Sequence, residues 1–320
     1  MQRTVGLLLV ATLVTGCSGD AGDDELGDRP GPSTTTSTTA PVTATVTGAP
    51  PPTTTTTEPV DVLTLRPPAA AASPEALADQ IAVAEAAIRD PSTPELDLAR
   101  AGLAQQVAYR TLGGHPEWDD VVLAALPAEL RSSVRRHAAA RREFRGMHVT
   151  PSDTLPAWRI VAPRPADELL SIYEEAGDEF DIPWSVLAAI HLVETGTGRI
   201  RGTSTAGAQG PMQFLPATWA AYGGGGDIND THDAIAGAAR YLAANNGATD
   251  LDHALFRYNH SARYVRGVRL YADLLAEHPR AFLGLHQWGV WYLTSEGEVY
   301  LPVGYEQQEP IAVSSYLAKG

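Results

Sequence analysis

From residue 31 to residue 60 the chain is dominated by threonine and proline, including Thr34-Thr35-Thr36 and an unbroken Thr53 to Thr57. Almost no large apolar side chain interrupts it. Such a stretch has nothing to bury, so it cannot offset the entropy of ordering its backbone. The residues before it, 18–28, are acidic and glycine-rich, with Asp20, Asp23, Asp24, Glu25 and Asp28. Residues 18–73 are therefore expected to form a disordered tether with a mean reach of about 40 Å. Any packed core has to come from the chain beyond it.

Ahead of the tether, Arg3 precedes an apolar run from Val5 to Val14. A helix needs about 20 apolar residues to span a bilayer, so this run is too short to be a membrane span and reads as a secretory signal. It ends Val14-Thr15-Gly16-Cys17, and Cys17 is the only cysteine in the sequence. This end resembles a bacterial lipoprotein signal, in which small residues precede a cysteine that is lipidated and becomes the mature N-terminus. The resemblance implies a signal peptide at 1–17, a lipid anchor at Cys17 and a place in the cell envelope, on the outer face of the cytoplasmic membrane. One cysteine also excludes an intramolecular disulfide framework and a cysteine-based zinc site. The net charge of −15 argues against binding to nucleic acid, which depends on neutralising phosphates.

Residues 74–147 show helix periodicity. Ser73-Pro74-Glu75 is a helix start, followed by Leu77, Ile81, Ala84 and Ile88 on one stripe. Thr93-Pro94-Glu95 repeats the signal ahead of Leu96, Ala99, Leu103 and Val107, and Gly113-Gly114 ends the run. Trp118 to Ala125 predicts a third helix and Pro127 to Phe144 a fourth, the latter with Arg135, Arg136, Arg141 and Arg142. The pattern predicts a small helical bundle, with the arginines first on a solvated face and, as the alternative, in contact with an anionic polymer or the second domain. Four prolines, at 151, 156, 163 and 165, make 148–166 a connector.

The chemistry lies beyond the connector. Asp167 to Phe180 is an amphipathic pattern, and Pro183 opens a second helix in which Leu187, Ile190, His191 and Glu194 share a face. Gly196 and Gly198 stop it. A carboxyl group that closes an apolar stripe is poorly solvated, so its pKa should rise, and a raised Glu is the group needed to protonate a glycosidic oxygen near neutral pH.

Three segments then occur in order: Val193-Glu194-Thr195-Gly196; Gly207-Ala208-Gln209-Gly210-Pro211-Met212-Gln213-Phe214-Leu215-Pro216-Ala217-Thr218; and Tyr258-Asn259 with Tyr264 following. Together they resemble the lytic transglycosylases of the lysozyme-like superfamily. The stretch Gly223 to Asp227, Asp230 and the alanine-rich Asp233 to Ala244 are most similar to the membrane-bound B branch of that family. The resemblance covers roughly 165–280. It implies that Glu194 is the acid/base and that Thr195, Gln213, Phe214, Tyr258, Asn259 and Tyr264 bind the sugar chain. Thr195 stands where the family usually has Ser, which leaves the direction of its hydroxyl open.

The implied substrate is the peptidoglycan glycan strand, cut at the MurNAc-GlcNAc β-1,4 bond to leave a 1,6-anhydro-MurNAc end, with no cofactor. Muramidase-type hydrolysis is the alternative within the class and would need a water-activating carboxylate. Asp227, Asp230 and Asp233 are available, although their spacing reads first as turn and helix-cap chemistry. A non-catalytic peptidoglycan-binding lipoprotein is the alternative outside it. Because unrestrained wall cleavage is harmful, cell-wall synthesis proteins are expected partners, though no residue identifies one. His232, His253 and His260 lack the tight spacing of a metal-binding helix, so no metal site is expected. Finally, Val290 to Leu301 reads as two β-prone runs around a Gly-containing turn, a hairpin within a C-terminal extension at 281–320. The overall expectation is a mainly α protein: a lysozyme-like catalytic domain preceded by a small helical bundle, with a short C-terminal β-hairpin.

Overall fold

A computed structural model describes residues 61–147 and 150–318. The apolar leader, Cys17 and the Thr/Pro tract lie outside the described residues.

The first four helices are α1 (Pro74–Arg89), α2 (Glu95–Gly114), α3 (Asp119–Ala125) and α4 (Arg131–Met147). The Ser73 side chain accepts the Ala76 N–H at 3.2 Å, and Pro74 sits in the first turn, where its missing N–H costs nothing. The second start differs from expectation. Pro94 is itself the cap residue and offers no side-chain acceptor. The Thr93 hydroxyl instead donates to the Ala87 carbonyl at 2.7 Å, which ties the turn to the end of α1. The fourth helix begins later than its sequence pattern, after a single tight turn at Ala128–Leu130.

These helices pack on one another and also on helices from beyond the connector. Besides the apolar stripe of α2, Gln105 and Gln106 are buried, so a second face of that helix is covered. Helix α4 lies along α10 (Ala262–Glu277), and α2 lies along α11 (Ala281–His286). Phe144 of α4 stacks on Tyr271 of α10 with ring centroids 5.9 Å apart. Gly267 makes that approach possible, because a Cβ there would sit 2.5 Å from the Phe144 ring. One hydrophobic core runs unbroken from Leu77 through Val134 to Leu242 and Trp288.

The rest of that core comes from α5 (Ala166–Phe180), α6 (Trp184–Thr195), α7 (Pro216–Tyr222), α8 (Thr231–Ala244) and α9 (Leu251–Tyr258). Helix α6 is buried on nearly every side, from Ser185 to Thr195, rather than along one stripe. That is the mark of a central helix. The class is thus mainly α, as the sequence predicts. No helix among the described residues is long and apolar enough to cross a membrane.

A second, smaller core is β-built. The C-terminal hairpin is present as β4 (Val290–Thr294) paired antiparallel with β5 (Gly297–Leu301), with Val290 opposite Leu301. The connector does more than connect. Its β1 (Thr154–Leu155) pairs with β6 (Ile311–Ala312), and its β2 (Arg159–Ile160) pairs with β3 (Ile200–Arg201), the strand that leaves the end of α6. Leu155, Trp158 and Ile160 pack there against Tyr292, Leu301 and Val313, the last in a short helix α12 (Val313–Leu317). Strands of two residues have no periodicity to read, which is why the prolines dominated the sequence pattern.

Candidate active site

The end of α6 is fixed by its own backbone. Gly196 takes the left-handed conformation at φ 61°, its N–H bonds to Leu192 O at 3.0 Å, and the Thr197 N–H reaches back to His191 O at 3.1 Å. This is the glycine-terminated helix stop that the sequence pattern implied. Thr197 is also left-handed, at φ 59°, an unfavourable place for a β-branched residue. It is held there by Arg199, whose buried guanidinium donates to Thr197 Oγ1 at 2.9 Å and to Gly196 O at 3.3 Å.

Glu194 sits in the last turn of α6, just before this stop, with only 4% of its surface exposed. Its Oε1 accepts a hydrogen bond from the Tyr264 hydroxyl at 2.7 Å. Burial pushes the carboxyl up to about 8, and the Tyr264 bond pulls the other way without offsetting it. At neutral pH the group is therefore a protonated acid. Tyr264 is itself buried next to that carboxyl, and both effects hold its hydroxyl well above the ordinary tyrosine range.

Glu194 lines a cavity of about 250 Å³ together with Asn259 and Tyr264. Asn259 is 3% exposed, and its Oδ1 has no partner among the described residues, so it presents an unused acceptor inside the site. These three residues of the sequence-predicted set meet on one cavity.

The other four form a supporting layer. Thr195 is fully buried, and its Oγ1 donates to Pro211 O at 2.6 Å while accepting the Gly198 N–H at 3.1 Å. Its hydroxyl therefore staples the end of α6 to the Pro211 loop, both of its hydrogen bonds going to backbone groups. Gln213 is buried at φ 51°, and its Nε2 donates to Gly210 O at 3.0 Å within the same loop. Gly210, at φ 74°, could not be another residue, since a Cβ there would lie 1.8 Å from Ile228 O. The Tyr258 hydroxyl donates to Met212 O at 2.6 Å, and its ring is nearly parallel to that of Tyr264, 8° apart. Phe214 meets Tyr258 edge-on, with centroids 5.8 Å apart. Thr195, Gln213, Phe214 and Tyr258 thus fix the loop that carries Met212 and Gln213 against the residues that touch Glu194.

The three aspartates play the parts that turn and cap chemistry assigns. Asp230 caps α8 through the His232 and Asp233 N–H groups, Asp227 accepts the Asn229 N–H, and Asp233 accepts the Asp227 N–H. None of them lines the cavity beside Glu194.

Glu194 at its helix end, the Gly210–Gln213 loop behind it and Tyr264 on its carboxyl all fall within one stretch that matches a known family. Residues 171–273 match the family model described as Transglycosylase SLT domain. SLT domains are lysozyme-like and belong to lytic transglycosylases, enzymes that act on peptidoglycan. The search of the curated proteins and the search of the solved structures gave no match. The SLT match begins within α5 and ends within α10, so it contains every site residue predicted in the folded part of the sequence.

Much of the cavity wall lies outside the SLT match. Gln106 and Arg110 come from α2, Arg141 and Arg145 from α4, and Trp291 and Glu298 from the hairpin. The sequence pattern singles out none of these as a site residue, although it offers the hairpin as a cover for the groove and the arginine run as a contact surface. Arg141 and Arg145 are spaced i, i+4, which puts them on one helix face; that spacing was the available signal, but nothing in the sequence says that this face meets Glu194.

Proposed function

We propose that the chain is a peptidoglycan lytic transglycosylase that cleaves the MurNAc-GlcNAc β-1,4 bond and leaves a 1,6-anhydro-MurNAc end. The observation that carries the reading is Glu194: a buried carboxyl, held protonated near neutral pH and bonded to one phenol, on the wall of a cavity.

The chemistry follows from that single group. Glu194 gives its proton to the glycosidic oxygen as the C1–O bond breaks. The GlcNAc leaves as its 4-hydroxyl, and the 2-acetamido group of the muramyl sugar supports the electron-poor C1. The C6 hydroxyl of the same sugar then attacks C1, and the Glu194 carboxylate takes its proton, which restores the acid. Tyr264 stabilises the carboxylate between the two transfers. The aspartates available for activating water serve as caps and turns, so internal attack is favoured over hydrolysis.

We propose further that the enzyme is anchored through a lipid on Cys17 at the outer face of the cytoplasmic membrane, with 18–73 as the tether. The leader sequence alone supports this.

Incubating the protein with purified sacculi and identifying the muropeptides by mass spectrometry tests the reaction. Anhydro ends are expected, and reducing ends would turn the assignment to hydrolysis. Binding without any cleavage would leave a glycan-binding lipoprotein. For the anchor, a diacylglyceryl-modified Cys17 is expected at the mature N-terminus, absent in Cys17→Ser.

A further inference from the structure

The wall of the cavity contributed by α2 and α4 is positively charged, on a chain whose net charge is −15. Arg110, Arg141 and Arg145 all line it. Against them stands Glu298, whose Oε1 lies 2.6 Å from Arg110 Nη2 and 3.4 Å from Arg145 Nη1. Glu194, protonated at neutral pH, contributes no negative charge. Three guanidinium groups thus share one carboxylate.

Two further observations favour an anion as the occupant of this wall. Arg141 Nε is buried and has no hydrogen-bond partner among the described residues. The Arg110 guanidinium lies over the Trp291 ring at 4.7 Å, and its side chain is only 11% exposed. Burial, and after it the neighbouring Arg141, pulls Arg110 down to about 9 against the opposing pull of Glu298. Arg142, whose Nε is likewise buried without a partner among the described residues, differs in being neutralised by a two-pronged pair with Asp119, and Arg136 pairs with Glu277. At about 250 Å³ the cavity falls below the ~300–1,000 Å³ of sites that engulf a whole drug-sized ligand, so it suits one substituent of a strand.

Resting on the proposed function, we propose that this cavity is a recognition subsite for a carboxylate carried by the muramyl sugar next to the cleaved bond, with Arg141 as its anchor. Guanidinium groups match carboxylates in shape as well as charge. The carboxylate has two sources of the same chemistry: the peptide attached to the muramyl lactyl group, or the bare lactyl acid where the peptide has been removed. The SLT domain supplies the acid, and the helices before it read the substituent.

The test measures binding to the full chain carrying Glu194→Gln, so that nothing is cut. Three sets of soluble glycan fragments serve as probes: native peptide-bearing, the same with carboxylates converted to methylamides, and amidase-stripped with the lactyl acid free. Native fragments should bind roughly tenfold tighter than the methylamides. Adding Arg141→Gln should erase that difference while leaving methylamide affinity unchanged. Arg145→Gln, at the more exposed mouth, should narrow the same difference and serves if Arg141→Gln does not fold. If neither native nor stripped fragments bind tighter than the methylamides, or if Arg141→Gln weakens all three equally, the subsite is overturned. Arg141-dependent tightening on native fragments assigns the peptide carboxylates, and Arg141-dependent tightening on stripped fragments alone assigns the lactyl acid; either supports the subsite. Absence of cleavage by the wild-type chain would remove the reaction reading, and the binding comparison would still decide the subsite.

Discussion

The Tyr264 hydroxyl donates to Glu194 Oε1 at 2.7 Å, and it acts against the burial that pushes this carboxyl up to about 8. The proposed reaction needs both states of Glu194, the acid first and the carboxylate after it has given its proton away. Burial favours the first and Tyr264 favours the second. Replacing Tyr264 with Phe keeps the ring and removes the donor. A hydrogen bond to a charged group contributes about 1.5–3 kcal/mol, so the alkaline limb of the pH–rate profile should move up by about one unit. The rate at pH 7 should fall roughly tenfold, because the carboxylate loses its partner. A limb that stays in place, measured on fluorescently labelled sacculi from pH 5 to 10, would show that Glu194 does not set it.

Glu194 also predicts a stability change that is separate from activity. Unfolded, it ionises at its ordinary 4.5; folded, it holds its proton to about 8. Between these values the folded chain carries a proton that the unfolded chain has lost. Its contribution is therefore whole below pH 4.5 and disappears as pH rises through 8. A glutamine in its place has no proton to lose and keeps an oxygen to accept the Tyr264 bond. Glu194→Gln should be inactive yet more stable than wild type, on the order of 3 kcal/mol at pH 7, with the gain gone at pH 4.5. Urea unfolding at pH 4.5 and 7 measures it.

The order of helices and the hairpin were legible because each rests on local signals: Ser73 with Pro74 as a start, Gly196 as a stop, Gly297 in the turn. Glu194 was legible too, from an apolar stripe that it terminates. Two kinds of information were not. The strands at Thr154–Leu155 and Arg159–Ile160 are too short to show alternation, and they exist only because distant partners at Ile311 and Ile200 cover them. The directions of Thr195 and Gln213 depend on a loop that folds back on itself, and no spacing reports that. For the same reason Arg141 looked solvated: its helix is amphipathic on a second face, which meets α10 and the cavity.

Thr195 gives a prediction that separates positioning from substrate contact. Its Oγ1 satisfies two backbone groups at once, Pro211 O and the Gly198 N–H. Thr195→Val keeps the shape and leaves both groups buried without partners, at a cost of about 1–3 kcal/mol. Thr195→Ser keeps the hydroxyl and should restore most of the loss. If the hydroxyl positions the loop, Val should lower kcat and the melting temperature together, with KM little changed. If it touched sugar, KM would rise at unchanged stability. Steady-state kinetics beside a thermal melt distinguishes the two.

The buried Gln105 tests whether the first four helices are separable from the SLT domain. Gln105 Nε2 donates to Glu85 Oε1 at 2.9 Å, and its Oε1 accepts the Trp288 indole N–H at 2.9 Å. It therefore links α1 and α2 to the residues that lead into the hairpin. Gln105→Leu leaves the indole N–H unpaired and removes one of the bonds on a buried carboxylate, so stability should fall by about 2–3 kcal/mol. The loss should appear as an earlier single transition for the whole molecule, because Tyr271 and Leu275 of α10 share a core with Val134 and Phe144 of α4. By the same argument a fragment of 165–280 alone bares the face of α10 that α4 covers, and it should fail to fold cooperatively. A fragment of that length with a sharp melt and full activity would mean that the shared core is dispensable and that α1–α4 are an attached module after all.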